Sequence, residues 1–402
     1  MKHVKRKKSM SNFLAAAVLP LLLLGQLLRI HPFGRAVIYP HDFIIGIVAL
    51  LAIARRSELI KLLRFWKKIL PYLLPVVIWL SATTLLRISL LHQSWFQVLY
   101  IFRFGVYLSF LGWLWQTFPQ LSIVTRSMYW LSGALFAMIA LAIYLIFPDM
   151  RSLISLGWDE HYFRAVGSLL DPNFTGAVLV LSIFPLITAG TKWFAKNQYL
   201  LFGVVLVTMT ALGLTFSRSA WLGLAVGSGL SLLTVLIHRT IAKTKLLPWL
   251  IISCVLTVAV VMIAPKPGGE GVQIFRQSSI VARQTHDSAT FNANPVDLIL
   301  GSGLTASENS QVSFHGRLPN NVFLQLFAFG GIPAVILGGY GLIKLLLTLW
   351  KKYPQVVIPA LVLLVLAQFN AVLLEPFVLL LGGTQLILLT QLPPTLKKIK
   401  HT

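Results

Sequence analysis

The sequence predicts an all-α fold, a polytopic transmembrane bundle of about twelve helices with one long extracytoplasmic loop between the ninth and tenth. Three observations predict it. Hydrophobic residues make up 57% of the 402 residues and charged residues only 11%, with a mean hydropathy of +0.81. That is more apolar surface than a soluble core of this size hides. The apolar residues fall into runs of roughly bilayer-spanning length. The cations, finally, divide between alternate connections as membrane topology dictates.

The runs lie at 10 to 28, 37 to 54, 69 to 91, 95 to 117, 127 to 147, 174 to 191, 198 to 216, 219 to 237, 246 to 264, 321 to 343, 355 to 374 and 376 to 393. The first follows the basic stretch MKHVKRKK. It reads as an uncleaved signal anchor, because Ala15 to Ala17 stand before the apolar core and not after it. The second is short and contains Pro40. With the N-terminus in the cytoplasm, 23 of the 34 Lys and Arg fall on inner connections and ten on outer ones, Arg103 lying within the fourth run. Of the eleven acids only Glu58 is inside. Both termini are therefore expected to be cytoplasmic, and the net charge of +23 reads as topology and contact with anionic membrane lipids, not as nucleic-acid binding. The single cysteine, Cys254, excludes an internal disulfide and a cysteine metal cluster.

One membrane domain, 1–402, with an outer loop or lid at 265–320, is the simplest organisation. Long loops on compact proteins are functional or disordered, and within this one VARQTHDSAT and VDLILGSGL have the composition of short interfacial helices. The cations carry a second asymmetry. The inner set holds 17 Lys and 6 Arg, the outer set 9 Arg and 1 Lys. Topology alone does not choose between the two residues, whereas a diphosphate does, since guanidinium is a planar bidentate fork and ammonium a point charge. Pairing of outer arginines with the ten outer carboxylates is the other reading, and both stay open.

Three stretches sharpen the question. In GLTFSRSAWLGLAVG, Arg218 occupies the tightest outer turn, and Ser217 is placed to cap the helix that follows. Arg218 then stands in the first turn, where the helix dipole disfavours a cation unless an anion is there too. Snorkelling towards headgroups is the alternative. Gly223 and Gly227 have the spacing of a helix contact. In RAVGSLLDPNFTG, Asp171 and Pro172 read as N-cap and first helical residue, Asn173 and Thr175 add polar groups in the first turn, and Arg164 lies upstream within reach of the same anion. Arg103, in YIFRFGVYLSF, faces either a cavity or a partner carboxylate or carbonyl. Asp159 and Glu160 are adjacent and point apart on a helix, so no divalent-metal site is expected. Sugar stacking on Trp158 or Phe163 is a further option, although most of the aromatic residues read as an interfacial belt.

RAVGSLLDPNFTG, LTFSRSAWLGL and RLPNNVFLQLFAFGGIPAVIL, in that order and with a long outer loop before the last, resemble the shared region of the O-antigen ligase and O-antigen polymerase family. VDLILGSGL looks like the family's G-x-G stretch. The likeness covers 164–337. It implies a metal-independent, cofactor-free glycosyltransferase of the membrane class C type, in the cytoplasmic membrane of a bacterium. The donor would be a polyprenyl-diphosphate-linked glycan and the acceptor a glycan or lipid, on the outer side of the membrane. On this likeness Arg218, Arg164 and Arg283 are diphosphate-binding residues, and Arg103, the cation within the fourth run, is counted with them. The family's last motif begins His-Asn, its histidine activating the acceptor; here the positions are Asn320 and Asn321, and a position often held by glutamate is Phe329. Neutral asparagine is no general base near pH 7. His315 supplies an imidazole if the loop folds back, with His161 and His286 further away. Otherwise asparagine orients the acceptor while diphosphate departure drives the reaction, or the chain binds its lipid without transfer. A transporter or flippase of lipid-linked saccharide, or a degenerate homologue, are the rival classes. Transport needs polar groups on both halves of the membrane, and here they gather outside.

Overall fold

The computed structural model describes residues 2–33, 36–91, 98–156, 161–193, 197–237, 246–267, 272–273, 281, 284, 287, 295–302 and 319–392. In chain order the helices are α1 (Lys2–Leu24), α2 (Pro40–Ala54), α3 (Arg56–Leu91), α4 (Val98–Thr117), α5 (Ile123–Ile146), α6 (Pro172–Trp193), α7 (Gln198–Leu214), α8 (Arg218–Ile237), α9 (Leu246–Ile263), α10 (Pro295–Leu300), α11 (Val322–Lys352), α12 (Pro354–Ala367) and α13 (Pro376–Thr390). Every apolar run of the sequence contains helix. Four helices are long and apolar enough to cross a membrane, at Met10–Leu28, Arg56–Ser89, Ile123–Ile146 and Val322–Lys352, and six shorter apolar helices stand among them. The chain is an α-helical membrane protein by these criteria.

The centre is α6. Residues from Ala177 to Ile187 are buried almost without interruption, and a helix apolar on all sides has to be wrapped on all sides. It is wrapped by α5, α7, α8 and α13. Gly223 and Gly227 meet Val362 and Leu366 of α12, and Gly227 also meets Phe184 of α6, as their spacing predicts for a contact between helices.

Several boundaries differ from expectation: the run 355–374 is helical only to Ala367, and the run 321–343 continues as helix to Lys352. Pro40 does not interrupt a span; it is the first residue of α2, where its missing N–H costs nothing. Residues ahead of it pair as a small antiparallel ribbon, β1 (Ile30–Phe33) with β2 (Ala36–Ile38), an addition to the all-helical plan. The third helix begins thirteen residues early, at Arg56, so the basic stretch RSELIKLLRFWKK is helical rather than a loop.

The helix α11 is broken at its ninth and tenth residues. Gly330 and Gly331 leave helical geometry, Gly331 with a φ of 66°, a conformation that favours glycine. The helix α10, which begins at VDLILGSGL's first residues, docks into the break. Ser302 donates its backbone N–H and its hydroxyl to Ala328 O at 2.7 and 2.8 Å, and Trp79 Nε1 donates to Gly330 O at 2.6 Å. Arg87 pairs with Asp297 and donates to Gly301 O at 2.6 Å. A side chain at Gly331 would strike the carbonyl of Ile299. Below the break, Ile332, Ile336, Tyr340, Ile343, Leu347 and Trp350 form an exposed stripe down α11. VARQTHDSAT lies almost wholly outside the described residues.

Candidate functional site

Four helix starts come together, and short polar side chains tie them. Asp171 caps α6, its Oδ1 accepting the N–H groups of Asn173 and Phe174 at 2.6 and 2.8 Å. Asn173 Oδ1 accepts the hydroxyl of Ser217 at 3.1 Å, and Ser217 precedes α8, accepting the N–H of Ala220 at 3.4 Å. Gly176 lets the two helices close, since a Cβ there would lie 2.7 Å from that of Ala220. Ser219, the second residue of α8, accepts a hydrogen bond from Asn370 Nδ2 at 2.9 Å. Asn370 belongs to the connection between α12 and α13, and from that same connection Gln368 Oε1 accepts Asn321 Nδ2 at 2.8 Å. Asn321 caps α11 through its Oδ1 at 2.8 Å from the N–H of Phe323. Glu375 caps α13, its Oε2 accepting the N–H of Val378 at 2.7 Å.

The caps are not equivalent. Two of them, Asp171 and Glu375, are carboxylates, so α6 and α13 bring their own anions to their positive ends. Neutral caps on α8 and α11 leave those two dipoles open to an external anion. Arg218 is the first residue of α8 and is half-buried. Arg218 thus stands at the head of one helix whose cap is neutral and in the same corner as another.

Backbone strain gathers here as well. Among the described residues the non-glycine positions with positive φ are Phe163, Leu170 and Phe216, at 50°, 54° and 49°. Each immediately precedes a residue of the corner: Arg164, Asp171 and Ser217. Such conformations cost about 1–3 kcal/mol each and persist where surrounding structure over-determines them.

The predicted site residues separate into groups. Asp171, Asn173, Ser217 and Arg218 are brought together, as the sequence suggests. Arg164 lies beside them, 7% exposed, but its guanidinium staples the turn before α8, with Nε donating to Thr215 O at 3.0 Å and Nη2 to Phe216 O at 3.5 Å. Arg103 belongs to a different cluster. It donates to Asp42 Oδ2 and to the Tyr107 hydroxyl, both at 2.7 Å, and its carboxylate partner removes the need for a bound anion. The carboxylate-pairing reading of the outer arginines also holds for Arg87 with Asp297 and for Arg151 with Asp149. Hydrogen bonds from Arg151 hold the Asp149 carboxyl down to about 2. Asn320 is half-buried at the mouth of α11. Asn321 is committed to capping and to Gln368, so it is a helix cap and not a group aimed at a ligand. Arg283, His315, His286, Trp158, Asp159 and Glu160 lie outside the described residues. Phe329 is buried near the break in α11, and His161 is buried beside Tyr162.

Ser219, Gln368, Asn370 and Glu375 were not foreseen. The signal for Glu375 was present: Glu375-Pro376 at the head of the last apolar run repeats Asp171-Pro172 at the head of the sixth. Burial is the largest cause that pushes the Glu375 carboxyl up to about 7, with the Asp171 carboxylate adding to it, while the N–H groups of Val378 and Phe377 and the Arg103 guanidinium oppose it. No protein-family model matches the chain, and no curated protein sequence matches it, so the likeness to the O-antigen ligase and polymerase family rests on the three quoted stretches.

Proposed function

We propose that the chain is a glycosyltransferase that moves or polymerises a glycan from a polyprenyl-diphosphate carrier at the outer face of the cytoplasmic membrane. The topology that accompanies this reading is the twelve-span one, both termini inside. The observation that carries it is the corner itself: Arg218 stands in the first turn of a helix whose cap is neutral, next to a second neutrally capped helix start, with strained backbone fixing both neighbouring turns. Diphosphate is a good leaving group, and pre-organised donors and cations aimed at its developing charge supply catalysis without proton bookkeeping at the leaving oxygen. The order and content of the three family-like stretches point to the same chemistry. Asn320 orients the acceptor in this scheme; it does not deprotonate it.

Full-length protein, purified and supplied with the lipid-linked glycan pool extracted from the source membrane, is expected to release free polyprenyl diphosphate. Absence of release, with the glycan still attached to its carrier, sinks the transferase reading. Movement of intact lipid-linked glycan across a vesicle bilayer in the same preparation would favour the flippase instead.

A further inference from the structure

The transfer reading leaves one chemical requirement unmet. An acceptor hydroxyl that attacks an anomeric carbon has to give up its proton, and neither Asn320 nor Asn321 takes it. Glu375 belongs to the same corner, on the connection bonded to α8 through Asn370 and Ser219, and the Asp171 cap acts on its carboxyl. Its side chain is 6% exposed, Oε2 is used by the N–H of Val378, and Oε1 is buried with no hydrogen-bond partner among the described residues. Buried polar atoms are nearly always paired, and an enclosed carboxylate oxygen lacking a donor is costly. An acceptor oxygen that is missing its donor is what a hydroxyl-bearing ligand would complete.

The surroundings give that oxygen a function. The connection that carries Glu375 is tethered to α8 by Asn370 on Ser219 and to α11 by Gln368 on Asn321. Two residues beyond Glu375, the Phe377 ring lies 4.8 Å from that of Tyr39 and 4.9 Å from that of His41. Charges act on Glu375 from two elements, Asp171 at the head of α6 and Arg103 of α4; the Tyr39 phenol ahead of α2 also faces it. Asp171 favours the protonated carboxyl and Arg103 the ionised one, so the group is held between its two states.

Resting on the transferase reading, we propose that Glu375 Oε1 is the base that accepts the proton of the acceptor hydroxyl. As the O–H bond breaks, its electron pair stays on oxygen, which forms the new bond to the anomeric carbon. The bond from that carbon to the diphosphate oxygen breaks and its pair leaves with the diphosphate, whose charge Arg218 stabilises. The proton rests on Glu375 and returns to solvent after the product departs. Admission of the acceptor requires the connection to move, and each of its two side-chain tethers is a single amide hydrogen bond.

The test uses the full chain reconstituted in vesicles, as wild type, Glu375→Gln and Glu375→Asp. An infrared titration from pH 5 to 9 should show a carboxylic-acid band that vanishes near neutral pH and is missing from Glu375→Gln. Binding of undecaprenyl diphosphate should be the same for all three. Turnover of the extracted lipid-linked glycan should rise with pH through about 7 in wild type, because the ionised carboxylate is the competent form. Glu375→Gln should lower kcat about 100-fold with the donor KM unchanged and the rising limb lost, whereas Glu375→Asp should keep the limb at a reduced rate. A Glu375→Gln protein that turns over with the wild-type profile overturns the proposal and leaves the transferase standing, as does an infrared spectrum without a Glu375-dependent band. A wild-type protein that neither binds undecaprenyl diphosphate nor releases it overturns both.

Discussion

Two groups of charge stand near the start of α13, and they differ in what they hold. In one, Arg103, Asp42, Tyr107 and His41 form a closed set: Asp42 receives both Arg103 and the Tyr107 hydroxyl, His41 Nε2 is 3.1 Å from that same hydroxyl, and Asp42 also caps its own helix by accepting the N–H of Tyr39 at 2.9 Å. In the other are Arg218, two neutral helix caps, three strained residues and a buried carboxylate oxygen without a donor among the described residues. Both groups place an arginine where a helix bundle is short of water. The first pairs its arginine with a carboxylate, and the second sets Arg218 beside helix ends whose caps are neutral. A buried cation by itself therefore does not mark a ligand site; what distinguishes the two is the charge on the caps of the neighbouring helices.

The comparison makes opposite demands on the two arginines, and these are the largest effects expected. Arg218→Lys should lower glycan transfer about 100-fold or more, since it replaces a bidentate fork with a point charge, and should leave the melting temperature near that of wild type. Arg103→Ala should do the reverse to stability, costing about 2–3 kcal/mol by stranding Asp42 in a half-buried position, measurable as a lower melting temperature in detergent. If Arg103→Ala melts like wild type, or Arg218→Lys unfolds, the division between closed and open clusters is wrong.

A smaller effect links Glu375 to stability. Its carboxyl is raised from 4.5 to about 7 in the folded chain, so the folded state holds the proton more tightly than the unfolded one. Its contribution is fully present below about pH 4.5, is lost as pH rises through about 7, and is constant above that. The whole change is on the order of 3 kcal/mol. Thermal unfolding of wild type should therefore weaken between pH 5 and 7.5 more than that of Glu375→Gln, with the two curves parallel at higher pH. Equal slopes through the interval would mean that Glu375 titrates as an ordinary surface acid.

The smallest expected change concerns the strained turns. Leu170, half-exposed at a φ of 54°, should tolerate asparagine, which enters the left-handed region more readily. Leu170→Asn should stabilise the protein by up to about 1 kcal/mol, seen as a slight rise in melting temperature. A loss of more than that would show that Leu170 packing, and not the backbone, governs this turn.

The distance between interacting residues decided what could be read from the sequence. Helix positions follow from local apolar runs, and the caps at Asp171 and Ser217 from residues within three positions of the groups they serve. The ribbon at Ile30–Ile38 escaped because it is short and carries Pro32, a poor strand residue. The start of α3 escaped because a stretch rich in Lys and Arg reads as a loop on hydropathy alone, although those residues have good helix propensity. The connection before α13 was not legible at all. Asn370 finds Ser219 across 151 positions and Asn321 finds Gln368 across 47, and no periodicity links them. Arg103 shows the same limit from the other direction: its partner Asp42, 61 positions away, settles a question that the sequence left open.

The break in α11 sets a direction. The exposed stripe below it, from Ile332 to Trp350, covers eighteen steps of helix, about 27 Å, close to the ~30 Å thickness of bilayer hydrocarbon. All 31 residues of the helix measure about 46 Å, so the helix is longer than the hydrocarbon is thick. Held at the break by α10 and Trp79, the segment from Val322 to Gly330 keeps a fixed direction relative to the exposed stripe, and it carries the Asn321 cap at its tip. A kink fixed in this way makes the polar corner rigid with respect to the apolar face, so a ligand that meets one meets the other at a constant offset.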